Sequence, residues 1–235
     1  STVTVYSAGA SLGQTSADGN GDYSFTPGTA LADGTYSITA TATDGAGNIS
    51  VASSAFSLLI DTAAPSVPSL TATNPTNDAT PTFSGSAEAA SMVTVLSDGT
   101  ALGQATADGS GNYSFTPGTA FADGTYTITA TAADSTGNTS GASDSLSLVV
   151  DTVAPSAPTL TGTTPTSDDT PALSGTAEAN ATVTAYSGNT ALGQATADSG
   201  GVFTLTVSTL ADGSHSLTAK ATDSAGNTSS ASSVL

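Results

Sequence analysis

The chain has 235 residues, with 19 Asp and Glu against a single Lys, no Arg and no Cys, and a formal net charge of −18. That balance excludes nucleic acid, whose phosphates must meet basic side chains to release their counterions, and it disfavours an anionic membrane surface. Without Cys there is neither a disulfide framework nor thiolate chemistry, and no apolar run approaches the ~20 residues that span a bilayer.

Residues 1–60 introduce a pattern that returns twice. Ser-Thr-Val-Thr-Val-Tyr at Ser1 to Tyr6 lines up with Ser-Met-Val-Thr-Val-Leu at Ser91 to Leu96. Asp-Thr-Ala-Ala-Pro at Asp61 to Pro65 returns as Asp-Thr-Val-Ala-Pro at Asp151 to Pro155, a period of 90 residues, and Gly13, Gly103 and Gly193 keep the same spacing. Such a period is a whole small domain, so the chain reads as a tandem array. Residues 1–60 are a partial repeat without its first strands, 61–150 a complete repeat, and 151–235 a nearly complete one. The partial repeat reads as a piece of a longer array, its missing strands supplied by upstream sequence or by another chain.

In the complete repeat, Val67 to Thr73 is expected to be a short first strand, entered through Pro65 and Pro68. Asn74 to Asp78 is a turn cluster. Thr80 to Glu88 and Met92 to Ser97 follow as strands, with Val93 and Val95 on one face. Asp98-Gly99 turns the chain into a fourth strand, Ala101 to Ala107. Tyr113-Ser-Phe115 opens a fifth, and Tyr126 to Ala130 alternates cleanly at period two. Asp134 to Asn138 is a loop, and Ser145 to Val150 is the seventh strand. No helical periodicity appears. Seven short strands in ~90 residues predict an all-β fold, a linear array of immunoglobulin-like or fibronectin-III-like sandwiches. The cores would be thin, because Ala, Ser, Thr and Gly abound and aromatics are few.

Leu-Ala-Asp-Gly-Thr-Tyr at Leu31 to Tyr36 and Phe-Ala-Asp-Gly-Thr-Tyr at Phe121 to Tyr126 match a tyrosine corner, in which the hydroxyl bonds nearby backbone. The third repeat has His215 in that slot, so His215 reads as a structural substitute and not as a ligand or base. Lys220 stands where the other repeats carry Thr41 and Thr131, and reads as a solvated surface lysine rather than an isopeptide partner.

Strand parity sorts the acidic loops between two poles. Loops after odd strands share the C-terminal pole with the exit residue, and loops after even strands face the preceding repeat. The first junction then gathers Asp33 and Asp61 opposite Asp108, Asp134 and Asn138. The second gathers Asp123 and Asp151 opposite Asp198, Asp223 and Asn227. Carboxylates crowded without Lys or Arg repel unless a cation lies among them, and hard oxygen donors without His or Cys indicate calcium rather than magnesium. The other reading of these segments stands beside it: Asp and Asn favour turns on their own account.

The repeats resemble the bacterial immunoglobulin-like repeats of giant surface adhesins, exported by type I secretion and found in biofilm-associated proteins. The likeness rests on Asp61 to Pro65, Asp123 to Tyr126 and Ala133 to Asn138 with their counterparts, and covers essentially the whole chain. It implies an extracellular extender that holds an adhesive tip away from the cell, with calcium stiffening the domain junctions. By position it makes Asp61 and Asp151 linker ligands, and Asp134 and Asp223 their partners. The partners expected are neighbouring repeats of the same polypeptide, with homotypic association in a matrix or filament as a further reading. The alternatives are a carbohydrate-binding accessory module, for which Tyr6 and Tyr186 are the residues to watch, and a self-assembling filament completed by strand donation. No nucleophile–base pair recurs, so an enzyme is not expected.

Overall fold

The computed structural model describes all 235 residues and contains strands but no helix. In the first repeat, β1 (Thr2–Ser7), β2 (Ala10–Ser16), β3 (Gly34–Thr43) and β4 (Phe56–Ile60) form a sheet in the order β2-β1-β3-β4. The second repeat comprises β5 (Phe83–Ser86), β6 (Met92–Ser97), β7 (Thr100–Thr106), β8 (Asn112–Phe115), β9 (Gly124–Ala133) and β10 (Leu146–Val150). Its larger sheet, β10-β9-β6-β7, repeats the first, and the antiparallel pair β5-β8 forms a second sheet. The third repeat comprises β11 (Thr161–Gly162), β12 (Ala172–Thr176), β13 (Thr182–Ser187), β14 (Thr190–Thr196), β15 (Val202–Thr206) and β16 (Leu217–Thr222). Its sheets are β11-β12-β15 and β14-β13-β16. Two antiparallel sheets around one core, in this order, make an immunoglobulin-like sandwich.

Alternation decides which side chains are buried. Val93 and Val95 on β6, and Ile128, Ala130 and Ala132 on β9, are fully buried in one cluster with Phe83, Tyr113 and Leu148. Leu173, Val183, Ala185, Phe203, Leu205 and Leu217 take the corresponding places in the third repeat. The alanines of β9, β13 and β16 leave room for the aromatics of the facing sheets, Phe83 and Tyr113 in the second repeat and Phe203 in the third. The regularly spaced glycines have a packing reason. At Gly103, beside the register shift between β6 and β7, a Cβ would stand 2.6 Å from the Phe115 ring.

The first strand departs from expectation. Ser69 and Thr71 donate backbone bonds to Ser86 and Ser84, each 2.8 Å, but Val67 to Thr73 forms no continuous ladder. The chain then crosses to the other sheet, where Thr76 pairs in parallel with Val150. Pro68 and Pro75 have no N–H to give a ladder, so the segment touches both sheets briefly instead of extending one of them. A second departure is in the first repeat. Tyr23-Ser-Phe25 repeats Tyr113-Ser-Phe115, yet forms no strand, and Tyr23 is 50 % exposed where Tyr113 is 4 %. The counterpart of β5, its pairing partner, does not exist in residues 1–60.

By compactness the chain divides into two units, residues 1–66 with 133–140, and residues 67–132 with 141–235.

Candidate functional site

Each repeat has a five-residue loop after its longest or last paired strand: Asp44 to Asn48, Asp134 to Asn138 and Asp223 to Asn227. The aspartate folds the loop around its own carboxylate. Asp134 Oδ1 accepts the backbone N–H groups of Thr136 (2.8 Å), Gly137 (2.8 Å) and Asn138 (2.9 Å), and Oδ2 accepts the Asn138 amide at 2.8 Å. Asp223 is held in the same way by Gly226, Asn227 and the Asn227 side chain. Desolvation raises the Asp134 pKa. The bonds from Asn138 and Thr136 outweigh it and bring the value to about 2. In the first repeat, the Asn48 side chain likewise lowers Asp44.

The asparagine that closes the loop also reaches the linker. Asn138 Nδ2 donates to the Asp61 carbonyl at 3.1 Å, and Thr136 Oγ1 donates to Asp61 Oδ2 at 3.4 Å. Asn227 Nδ2 donates to the Asp151 carbonyl at 2.7 Å. Ala225 replaces Thr136 in the third repeat, so there the link is through the asparagine alone. Beside it, a Cβ added at Gly226 would stand 3.5 Å from Asn77 Nδ2, so the odd-strand loop of one repeat does meet the even-strand loop of the next.

The linker is also held from its other side. Asp33 Oδ1 accepts both the backbone N–H (3.1 Å) and the hydroxyl (2.9 Å) of Thr62. Asp123 Oδ1 does the same for Thr152, at 2.9 and 2.8 Å. Asp61 and Asp151 each turn the chain by accepting the N–H two residues on, from Ala63 and Val153. Thr62, Thr152 and Thr136 are linker contacts that reasoning from sequence passed over. The signal was present in the recurrence of Asp-Thr at the linker and Ala-Asp-Gly before the corner, but Thr is too common in this chain to stand out.

Asp108 and Asp198 also hold turns of their own. Asp108 accepts the N–H groups of Ser110 and Asn112, and Asp198 those of Gly200 and Val202, so each caps its own turn. The Asn112 N–H is the main cause of a lowered Asp108 pKa. Nowhere do three or more His, Cys, Asp or Glu side chains make a metal-holding group. Asn138 and Asn227 each donate both to their own loop aspartate and to the linker carbonyl. In kind, the donors suit calcium: Asp61, Asp151 and the two loop aspartates are hard oxygen ligands. In number, they fall short of a full shell.

His215 takes the tyrosine's place and its bond. Tyr36 and Tyr126 donate to the carbonyls of Ala32 (2.8 Å) and Ala122 (3.0 Å), and His215 Nε2 lies 2.8 Å from Ala211 O. The carbonyl only accepts, so the ring carries its proton on Nε2. Lys220 is exposed on β16, opposite Thr184. Tyr6 and Tyr186 are half-buried.

A family model described as bacterial Ig-like domain matches residues 1–62, 69–152 and 158–235. The chain belongs to the bacterial Ig-like domain family. No curated protein matches it. Among solved structures, it is similar to a tetra-tandem repeat in the extending region of a large adhesion protein, at 25 % identity over all of this chain and 66 % of that one, with a TM-score of 0.35. It is also similar to the BSP domain of a biofilm-associated protein, at 22 % identity over 86 % of this chain and 41 % of that one (TM-score 0.29). The human OSCAR ligand-binding domain matches at 17 % identity over 74 % of this chain and 99 % of that one (TM-score 0.34). The chain thus spans less than two thirds of the first two. This bacterial Ig-like chain carries the family's domain three times, and the linker grip recurs at both junctions.

Proposed function

We propose that this chain is a non-catalytic extender segment of a bacterial surface adhesin, working outside the cell in adhesion or biofilm formation. The observation that carries the reading is the repeated two-sided grip on the linker. Asp33 and Asp123 tie it to the repeat before through Thr62 and Thr152, and Asn138 and Asn227 tie it to the loop after through the Asp61 and Asp151 carbonyls. A binding module has no need to fix its linkers; a spacer does, because a freely hinged chain loses reach as its repeats are added.

Calcium is the proposed stiffener of these junctions. Asp61, Asp134 and Asn138 would hold it at the first, and Asp151, Asp223 and Asn227 at the second. A bound ion would neutralise the paired carboxylates and, by binding only the ordered linker, stabilise that order by mass action. Export by type I secretion fits a chain that stiffens only on meeting extracellular calcium. Small-angle scattering of the full chain in millimolar calcium and in chelator tests both parts. Calcium should lengthen the maximum dimension, and Asp151→Ala should remove the second junction's share of the response while leaving the heat-capacity peak of folding in place. A dimension indifferent to chelator would overturn the role of calcium. A short, broad distance distribution in both solutions would overturn the extender itself.

A further inference from the structure

In the second repeat, β10 lies at the edge of the larger sheet, and its edge groups are paired by two short pieces of the entering chain. Thr76 donates its N–H to Val149 O and accepts the Asp151 N–H at its own carbonyl, both at 3.0 Å, so it brackets Val150 in a parallel bridge. Two residues earlier, the Asn74 side chain makes the same pair of bonds. Its Nδ2 donates to Ser147 O at 2.7 Å, and its Oδ1 accepts the Val149 N–H at 2.8 Å, which brackets Leu148. A primary amide carries the donor and the acceptor of a peptide group. Asn74 thereby adds a rung to the ladder of Thr76, where Pro75 has no N–H to give.

Parallel pairing of the first and last segments of a repeat has a mechanical consequence. The chain enters through the segment that leads to Asn74 and leaves through β10 into Asp151. Tension between its ends pulls Asn74 and Thr76 one way and β10 the other, along the strand direction. Four hydrogen bonds then lie across the pull and are loaded together, whereas a pair peeled from one end opens one bond at a time. Water is kept from the far rung, since Thr76 is 4 % exposed and Val150 1 %. The Thr76 hydroxyl also accepts the Asp78 N–H at 3.1 Å, which holds the turn that follows.

We propose that Asn74 and Thr76, with residues 147–151, form a force-bearing clamp, and that the Asn74 amide doubles its strength. The two segments must slide past each other before any strand of the repeat is drawn out, so the clamp sets the rate of unfolding under load. The proposal rests on the extender reading for the source of the load, because a spacer is pulled from its ends. Clamp and junction meet in one residue. The Asp151 N–H is bonded to Thr76 O in its own repeat, and the Asp151 carbonyl accepts Asn227 Nδ2 of the next at 2.7 Å.

Single-molecule stretching of the full chain at constant force tests the clamp. The chain has no Cys, so a cysteine added at each end gives two unambiguous handles. Asn74→Ala should make one repeat unfold about tenfold faster or more under tension, the loss of two hydrogen bonds. Asn74 is exposed, so its loss leaves the core of the repeat intact. Ser143→Ala is the control. It also removes two side-chain hydrogen bonds from the same repeat, one from the Ala130 N–H at 2.9 Å and one to Asp144 O at 2.8 Å, but none between the segments that tension slides apart. It should change the rate by less than about twofold. Equal effects of the two variants, or an Asn74→Ala rate matching that of the unaltered chain, would overturn the proposal. So would an Asn74→Ala chain that aggregates more and unfolds no faster under tension, since Asn74 would then be only a guard of the sheet edge. The extender reading stands or falls separately, on the scattering dimension.

Discussion

A single side chain in this molecule does its work mostly through backbone partners. His215 replaces a phenol with an imidazole and keeps the corner, because what the corner needs is one donor at the right distance from a carbonyl. Asp134 is the sharper case. Its carboxylate is stabilised by the N–H groups it gathers, and its pKa of about 2 lies below the ~3.9 of an unfolded aspartate. A depressed folded value means the loop's extra stability is fully present above about pH 4 and is lost as pH falls towards 2. The NMR amide signals of Thr136, Gly137 and Asn138 should therefore hold steady down to about pH 4 and move between there and pH 2. A midpoint at the ordinary aspartate value would show that the loop does not hold the charge.

Strands form here when a partner is present, whatever the local pattern. Tyr113-Ser-Phe115 is a strand and Tyr23-Ser-Phe25 is not, and the difference is β5. The approach of the first segment to β5 also sets a glycine requirement. Gly85→Ala would push Ser69 off the sheet and should cost about 3 kcal/mol or more, the upper range for overpacking. Gly109→Ala, in the same repeat with nothing within 4 Å of the added methyl, should change stability by less than about 0.5 kcal/mol. Calorimetric unfolding of the two variants makes the comparison, and equal costs would mean the close approach at Gly85 is not rigid.

Across the whole molecule the repeats are similar in sequence and unequal in cover. The second and third each have a closed cluster of buried side chains; in the first only Val3 and Val5 are buried apolar residues. Since local opening follows buried contact, the amides of Ser37 to Thr43 should exchange about tenfold or more faster than those of Thr127 to Ala133, read by mass spectrometry. Equal rates would mean that the larger sheet is stable without a second sheet over it.

Period, alternation and turn residues are local properties, so the three repeats, the β6 and β9 cores and the tyrosine corner were legible from sequence. Parity also placed Asn138 near Asp61 and Asn227 near Asp151, where each bonds the linker carbonyl. Which oxygen meets which donor was not legible. Asp108 and Asp134 share the same spacing to an asparagine and both cap their own turns, yet the asparagine of the Asp134 loop also bonds the linker at Asp61. Likewise the short first segment from Val67 to Thr73 depends on neighbours far along the chain, pairing with Ser84 and Ser86 and then with Val150 through Thr76. A residue's own preferences are written in its local sequence, but its hydrogen bonds and burial belong to pairs, and only the tertiary structure decides the pairs.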